Sequence, residues 1–157
     1  MEATPNGILS RTRRKVGGFT LIELLTVMMV ISILAGIALP RLRGAIVKAE
    51  AADVLGDMNV IKVAVHTYQS DHNRWPSDRG RGVIPPELVE YLPAGFTFVK
   101  DDYVLDYDNW STVKGSAFNI GVTFITTNQE LGLAVIKLVG SNIWSDGATK
   151  YTWMIDG

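Results

Sequence analysis

The sequence predicts an α+β fold: a long N-terminal helix over residues 19–71, kinked near Pro40, packed on a small antiparallel β-sheet. Three features point to it. From Phe19 to Leu39, 21 residues carry one charge, Glu23, and a helix of that length spans a hydrocarbon core. From Arg41 to Asp71, apolar residues recur at three- and four-residue steps, the pattern of an amphipathic helix. Beyond Gly95 the period shifts toward alternation, with β-branched residues between turn signals, as strands require.

Residues 1–10 contain Pro5, Gly7 and few apolar side chains. They read as a disordered start. A basic cluster, Arg11, Arg13, Arg14 and Lys15, stands directly before the apolar run. Under the positive-inside rule this end stays in the cytoplasm and the remaining chain faces the other side of the membrane. Glu23 is costly inside a bilayer unless it is hydrated near the headgroups or has a partner, so it reads as functional. Gly17 and Gly18 precede Phe19. Two residues without side chains leave an unhindered extended site for a protease. Cleavage after Gly18 creates an amine on Phe19, four residues from Glu23, and that cation can pair with the carboxylate of a neighbouring helix. A rival reading is an ordinary secretory signal cut after Gly36-Ile37-Ala38. The acid inside the apolar region, the length of that region and the continuation of the helical pattern all oppose it.

With basic residues upstream and Pro40 downstream, Gly18-Phe19-Thr20-Leu21-Ile22-Glu23 resembles the class III signal of type IV pilins and type II secretion pseudopilins. The resemblance covers residues 11–75. It implies a pilin-like fold, cleavage between Gly18 and Phe19 by a prepilin peptidase, N-methylation of Phe19, and a role for Glu23 in assembly through the Phe19 amine of an adjacent subunit. The chain then divides into a cleaved leader, 1–18, a transmembrane and filament-core helix, 19–40, an amphipathic helix, 41–72, and a C-terminal α+β periplasmic domain, 73–157. The implied function is a structural subunit, not an enzyme, of a type II secretion pseudopilus in the inner membrane, single-pass, with a cytoplasmic N-terminus. Its implied partners are copies of itself, other pseudopilins, the peptidase, and an inner-membrane assembly platform with its ATPase. A type IV pilin for adhesion, motility or DNA uptake is the first alternative. A signal-anchored periplasmic domain without a filament role is the second.

Gly36 and Pro40 lie one turn apart. Proline removes a helical hydrogen bond, so a kink or local unwinding is expected there. The apolar stripe beyond it is read as Leu42, Ile46, Ala49, Ala52, Leu55, Met58, Ile61, Val65 and Tyr68. One helix from 19 to 71 measures about 80 Å, too long for the C-terminal residues to bury, so its first half belongs in lipid or against other copies. Pro76, Pro85, Pro86, Gly80 and Gly82 mark a surface connection, with one or two helical turns from Pro86. Arg74-Trp75-Pro76 resembles the start of the variable region in pseudopilins. Phe96–Val99, Tyr103–Tyr107 and Phe118–Thr126 read as strands, and Glu130–Val139 as a helix capped by Thr127-Asn128 and ended by Gly140. Asn142–Ser145 and Thr149–Ile155 form a hairpin around Asp146-Gly147, giving four or five strands in all. Trp75, Trp110, Trp144 and Trp153 are assigned to packing.

Removing residues 1–18 changes the net charge from −1 to −4. No nucleic-acid partner is expected, and Arg74, Arg79 and Arg81 read as a solvated loop. The absence of cysteine excludes a disulfide framework and a thiolate metal site, and it counts against pilins closed by a C-terminal disulfide. His66 and His72 lie six apart, off one helical face. Asp101, Asp102, Asp106 and Asp108, with Asn109, offer oxygen ligands, and the resemblance implies a calcium-stabilised C-terminal loop. Their spacing is not that of an EF-hand, so an exposed acidic hairpin is the preferred reading and no cofactor is assigned. P-loop, dinucleotide and hydrolase motifs are absent from the sequence.

Overall fold

The computed structural model describes residues 18–111, 113–114 and 119–156. The predicted leader up to Gly17, its basic cluster, and Phe118 lie outside the described residues. The chain divides into two units, one ending at Pro40 and the other Arg41–Gly157.

Helix α1, Leu21–His72, contributes to both. In the first unit its residues from Leu21 to Pro40 are exposed, except for half-buried Ala35. The helix passes Gly36 and Pro40 without interruption, although the Pro40 ring leaves no N–H for the Gly36 carbonyl. It ends where Asn73 adopts a left-handed conformation, φ 52°, and its N–H donates to the Gln69 carbonyl at 2.8 Å. Asparagine tolerates that conformation better than a β-branched residue.

In the second unit α1 lies on a four-stranded antiparallel sheet of order β1-β2-β4-β3. The strands are β1 Val104–Asn109, β2 Ile120–Ile125, β3 Ile143–Ser145 and β4 Lys150–Asp156. Leu105, Tyr107, Ile120, Val122, Phe124 and Tyr151 turn to α1 and join Ala51, Val54, Met58, Ile61, Ala64, Val65 and Tyr68 in one core. Leu88, Phe98, Leu131 and Val135 close its ends.

The predicted stripe holds from Met58 onward but not before it. Leu42 and Ile46 are 56% and 47% exposed, and Ala51 and Val54 are buried instead. The reason is geometric. Consecutive three-residue steps from Ile46 to Ile61 each fall about 60° short of a full turn, so that stripe winds around the helix rather than holding one face.

The segment Phe96–Val99 is not a strand; its only ladder contact is an isolated Val99–Val104 bridge. The Thr97 hydroxyl accepts from Val99 N at 3.1 Å and donates to Val99 O at 3.2 Å. Such local side-chain bonds compete with a ladder. The connection after α1 is also more than surface. Pro76, Pro85 and Leu88 are buried, and the Pro76 carbonyl accepts from Asn109 Nδ2 at 2.7 Å and Tyr107 Oη at 3.3 Å. From Pro86, one turn of 3₁₀ helix, Pro86–Leu88, forms as expected.

Helix α2, Gln129–Val139, starts on Asn128, whose Oδ1 accepts from Glu130 N and Leu131 N, and ends on Gly140 at φ 81°. The hairpin between β3 and β4 is tied by Asp146, whose Oδ1 accepts from Ala148 N, Thr149 N and Lys150 N at 2.8–3.0 Å. Trp75 and Trp153 pack on the core, and the Trp110 ring stands over Gly121. Trp144 departs from expectation, being 48% exposed on the edge strand β3.

Candidate functional site

Gly18, Phe19 and Thr20 precede α1 in non-helical, exposed backbone. Phe19 is 88% exposed, and no heavy atom lies within 4 Å of where a Gly18 Cβ would stand. The bond between them is therefore open to an approaching enzyme on its described side.

Thr20 then caps the helix. Its backbone N–H donates to Glu23 Oε2 at 2.8 Å and its hydroxyl to the same oxygen at 2.7 Å. In return Glu23 N donates to Thr20 Oγ1 at 3.3 Å. This reciprocal pairing is a capping box, which satisfies helix-end donors that would otherwise be orphaned. The carboxylate also lies in the first turn, where the helix dipole favours a negative charge. Among the described residues, Glu23 Oε1 accepts no hydrogen bond, so one carboxylate oxygen is engaged locally and the other is not. The sequence reasoning missed Thr20. The Thr-x-x-Glu spacing before an apolar run was its available signal.

The proposed calcium ligands do not converge. Asp101 and Asp102 are exposed in the turn before β1, whereas Asp106 and Asp108 lie within β1. Among the described residues, no group of three or more His, Asp or Glu side chains is placed to hold a metal ion. Alternation along β1 instead turns Asp106 and Asp108 to the sheet face opposite α1. Asp108 accepts from the Thr123 hydroxyl, which meets Thr152 Oγ1 at 2.8 Å.

Among the described residues, Asp106 Oδ1 is buried without a partner. Its burial, then the nearby carboxylates Asp108 and Asp78, raise its pKa to about 7. Burial also raises Asp108, against the Thr123 hydrogen bond that lowers it. The folded state thus holds protons that the unfolded chain has released, and stability falls as pH rises from about 4 to 7. Replacing Asp106 by Asn is expected to flatten that fall and to stabilise the chain by about 1–2 kcal/mol at pH 8, allowing for solvent screening. Urea midpoints at pH 5 and pH 8 check this; an unchanged pH slope in the variant contradicts it.

A second tie joins the Lys100–Tyr103 turn to α1. Asp57 Oδ2 accepts from Tyr103 Oη at 2.7 Å and pairs with Lys100 Nζ at 2.9 Å. Burial raises the Tyr103 hydroxyl well above its ordinary value, helped by the Asp57 hydrogen bond, so it stays a donor across the physiological range. His66 and His72 do not meet each other: His66 stands edge-on to Trp75, and His72 stacks on Tyr68 at 4.3 Å.

Comparison with known proteins places the helix start in context. The family model described as the prokaryotic N-terminal methylation motif matches residues 13–39. The chain is 30% identical over 99 residues to type II secretion system core protein G of Pectobacterium carotovorum, covering 60% of this chain and 62% of the relative. It is 34% identical over 91 residues to the protein of the same name from Aeromonas hydrophila, covering 54% and 64%. It is 36% identical over 69 residues to the type IV major pilin protein PilE1 of Neisseria gonorrhoeae, covering 44% and 32%. The matches thus span slightly under two thirds of these secretion relatives' length. No solved structure matches. The methylation motif thus falls on the start of the long apolar helix α1, whose second half packs on a small antiparallel sheet. Over part of its length the chain is similar to type II secretion system core proteins G and to a type IV major pilin.

Proposed function

We propose that this chain is a pseudopilin: a structural subunit, not an enzyme, of a type II secretion pseudopilus. It is made as a precursor and held in the inner membrane by the apolar part of α1, with the leader in the cytoplasm and Arg41–Gly157 in the periplasm. A prepilin peptidase cuts between Gly18 and Phe19, and Phe19 is methylated. An assembly platform with its ATPase then draws the subunit into a helical filament with its own copies and other pseudopilins.

The observation that carries this reading is the helix start. An exposed Gly18-Phe19 pair leads directly into a capped helix whose apolar surface is uncovered from Leu21 to Leu39. In a filament that surface is buried against neighbouring copies in place of lipid. The Phe19 amine of one copy meets the free oxygen of Glu23 on the next, while the other oxygen keeps its own helix capped. Pro40, which cannot donate to the Gly36 carbonyl, is the place where α1 can stretch on leaving the membrane.

The type IV pilin alternative draws on the Neisseria relative. That match covers 44% of this chain, against 60% for the Pectobacterium secretion protein, which favours the pseudopilin. Deletion of the gene in its own host separates the two: loss of secreted enzymes is expected, and loss of long surface filaments with secretion intact contradicts the assignment.

A further inference from the structure

Past Pro40 the exposed stretch of α1 carries Arg41, Arg43 and Lys48 beside uncovered Leu42 and Ile46. None of these three cations is paired within the described residues, where the one ion pair is Lys100–Asp57. Arg41 and Lys48 are seven residues apart and therefore within about 20° of one another on the helix.

Further along the same unit lies a cleft of about 380 Å³. Glu50 and Asp53 of α1 form one wall, and Val99, Asp101 and Asp102 form the facing wall. The cleft also holds Lys100, but that ammonium is already engaged by Asp57 at 2.9 Å. Four carboxylates thus line it beside Val99, which is 55% exposed. A single chain cannot bring the two features together, because both include the same rigid stretch of helix. Two chains can.

We propose that the Arg41–Lys48 stretch of one copy docks into this acidic cleft of a second copy. Lys48 and Arg41 meet Asp53, Glu50 and the turn acids, and Leu42 and Ile46 cover Val99. The centres of the two stretches on α1, residues 41–48 and 50–53, lie seven residues apart, which fixes an axial stagger of about 10 Å between copies. The inference rests on the filament reading above and adds a second contact that sets stagger outside the apolar helix. Oppositely charged, partly desolvated surfaces suppress wrong registers more than they add raw affinity. Anionic lipid headgroups are the other class of surface that the basic stretch could meet, but they leave the acidic cleft without a cation.

The chain has no cysteine, so introduced thiols report alone. Ala45→Cys and Thr97→Cys in one full-length chain, oxidised in membranes carrying the secretion system, are expected to give a ladder of linked copies. Lys48→Glu and Asp53→Lys, at exposed positions, should each reduce the ladder about tenfold, and the two together should restore it. A ladder indifferent to the reversals, or one the double reversal fails to restore, overturns the proposal. So does a third pattern: Asp53→Lys without effect, and Lys48→Glu weakening flotation of the chain with phosphatidylglycerol vesicles, which assigns the stretch to lipid. A Val27→Cys reporter in the apolar helix runs in parallel. If it links copies while the charge reversals do nothing, only this inference fails; if it never links copies, the filament reading fails.

Discussion

Replacing Glu23 by Val is expected to leave membrane insertion intact and to lower filament yield at least about tenfold, because a carboxylate in an apolar environment sets register through its partner. Valine suits lipid better than glutamate, so the lone membrane subunit gains from the change. On the proposed reading it loses the acceptor for the Phe19 amine of the next copy, which is then left charged and unpaired in the filament core. Thr20→Val is the informative companion. It removes the hydroxyl that bonds Glu23 at 2.7 Å but keeps the carboxylate. A lost N-cap costs about 1 kcal/mol, so filament yield should fall by a smaller factor than with Glu23→Val. Filaments are counted by electron microscopy of sheared fractions, and insertion is scored by carbonate extraction. Normal filament yield from Glu23→Val contradicts the register role; an equal loss in both variants means that helix capping alone matters.

Replacing Gly132 by Ala is expected to destabilise the chain by about 3 kcal/mol, at the upper end of what overpacking a core costs. Gly132 is on the buried face of α2, and a Cβ there would stand against the Oη and Cζ of Tyr151 and 2.6 Å from its Cε2. Tyr151 is 3% exposed and part of the core, so its ring has little room to yield. The clash must also overcome the roughly 1 kcal/mol that alanine gains over glycine in a helix. Gly56→Ala is the control. Gly56 is an exposed position of α1 with no atom within 4 Å of the added Cβ. There the same substitution is expected to stabilise by up to about 1 kcal/mol. Chemical unfolding of both variants reads the two signs; equal effects contradict the packing argument.

The readable parts of this sequence were those in which local chemistry and tertiary context agree. Alternation marked β2, although all six of its residues proved buried. Asn128 and Gly140 marked both ends of α2 because a side-chain oxygen and a residue free to adopt positive φ do there what no interior residue does. The helix start was legible through Gly18, Phe19 and Glu23. Its cap lies in the Thr-x-x-Glu spacing, which makes Glu23 a local hydrogen-bond acceptor for Thr20 as well as a charge in an apolar run.

Elsewhere the pattern underdetermined the answer. Nothing in Leu42 or Ile46 says that the sheet first covers α1 at Ala51. Phe96–Val99 has strand composition, yet beyond the isolated Val99–Val104 bridge it forms no ladder, and Thr97 bonds locally to Val99 instead. Asp101 to Asp108 are close in sequence, but the turn into β1 sends them to different surroundings. Proximity along a chain is not convergence, and the buried, unpartnered Asp106 oxygen is visible only once the strand is placed.

The central claim concerns what happens between Gly18 and Phe19, and the most direct measurement is the intact mass and N-terminal residue of the chain recovered from membranes of cells with the complete secretion system. The account predicts a single species that starts at Phe19, lacks residues 1–18 and carries one added methyl group on its amine. A chain starting at Leu39 would mean an ordinary signal peptide and a free periplasmic domain, and an uncut chain starting at Met1 would leave a simple membrane anchor; either result contradicts the filament-subunit account.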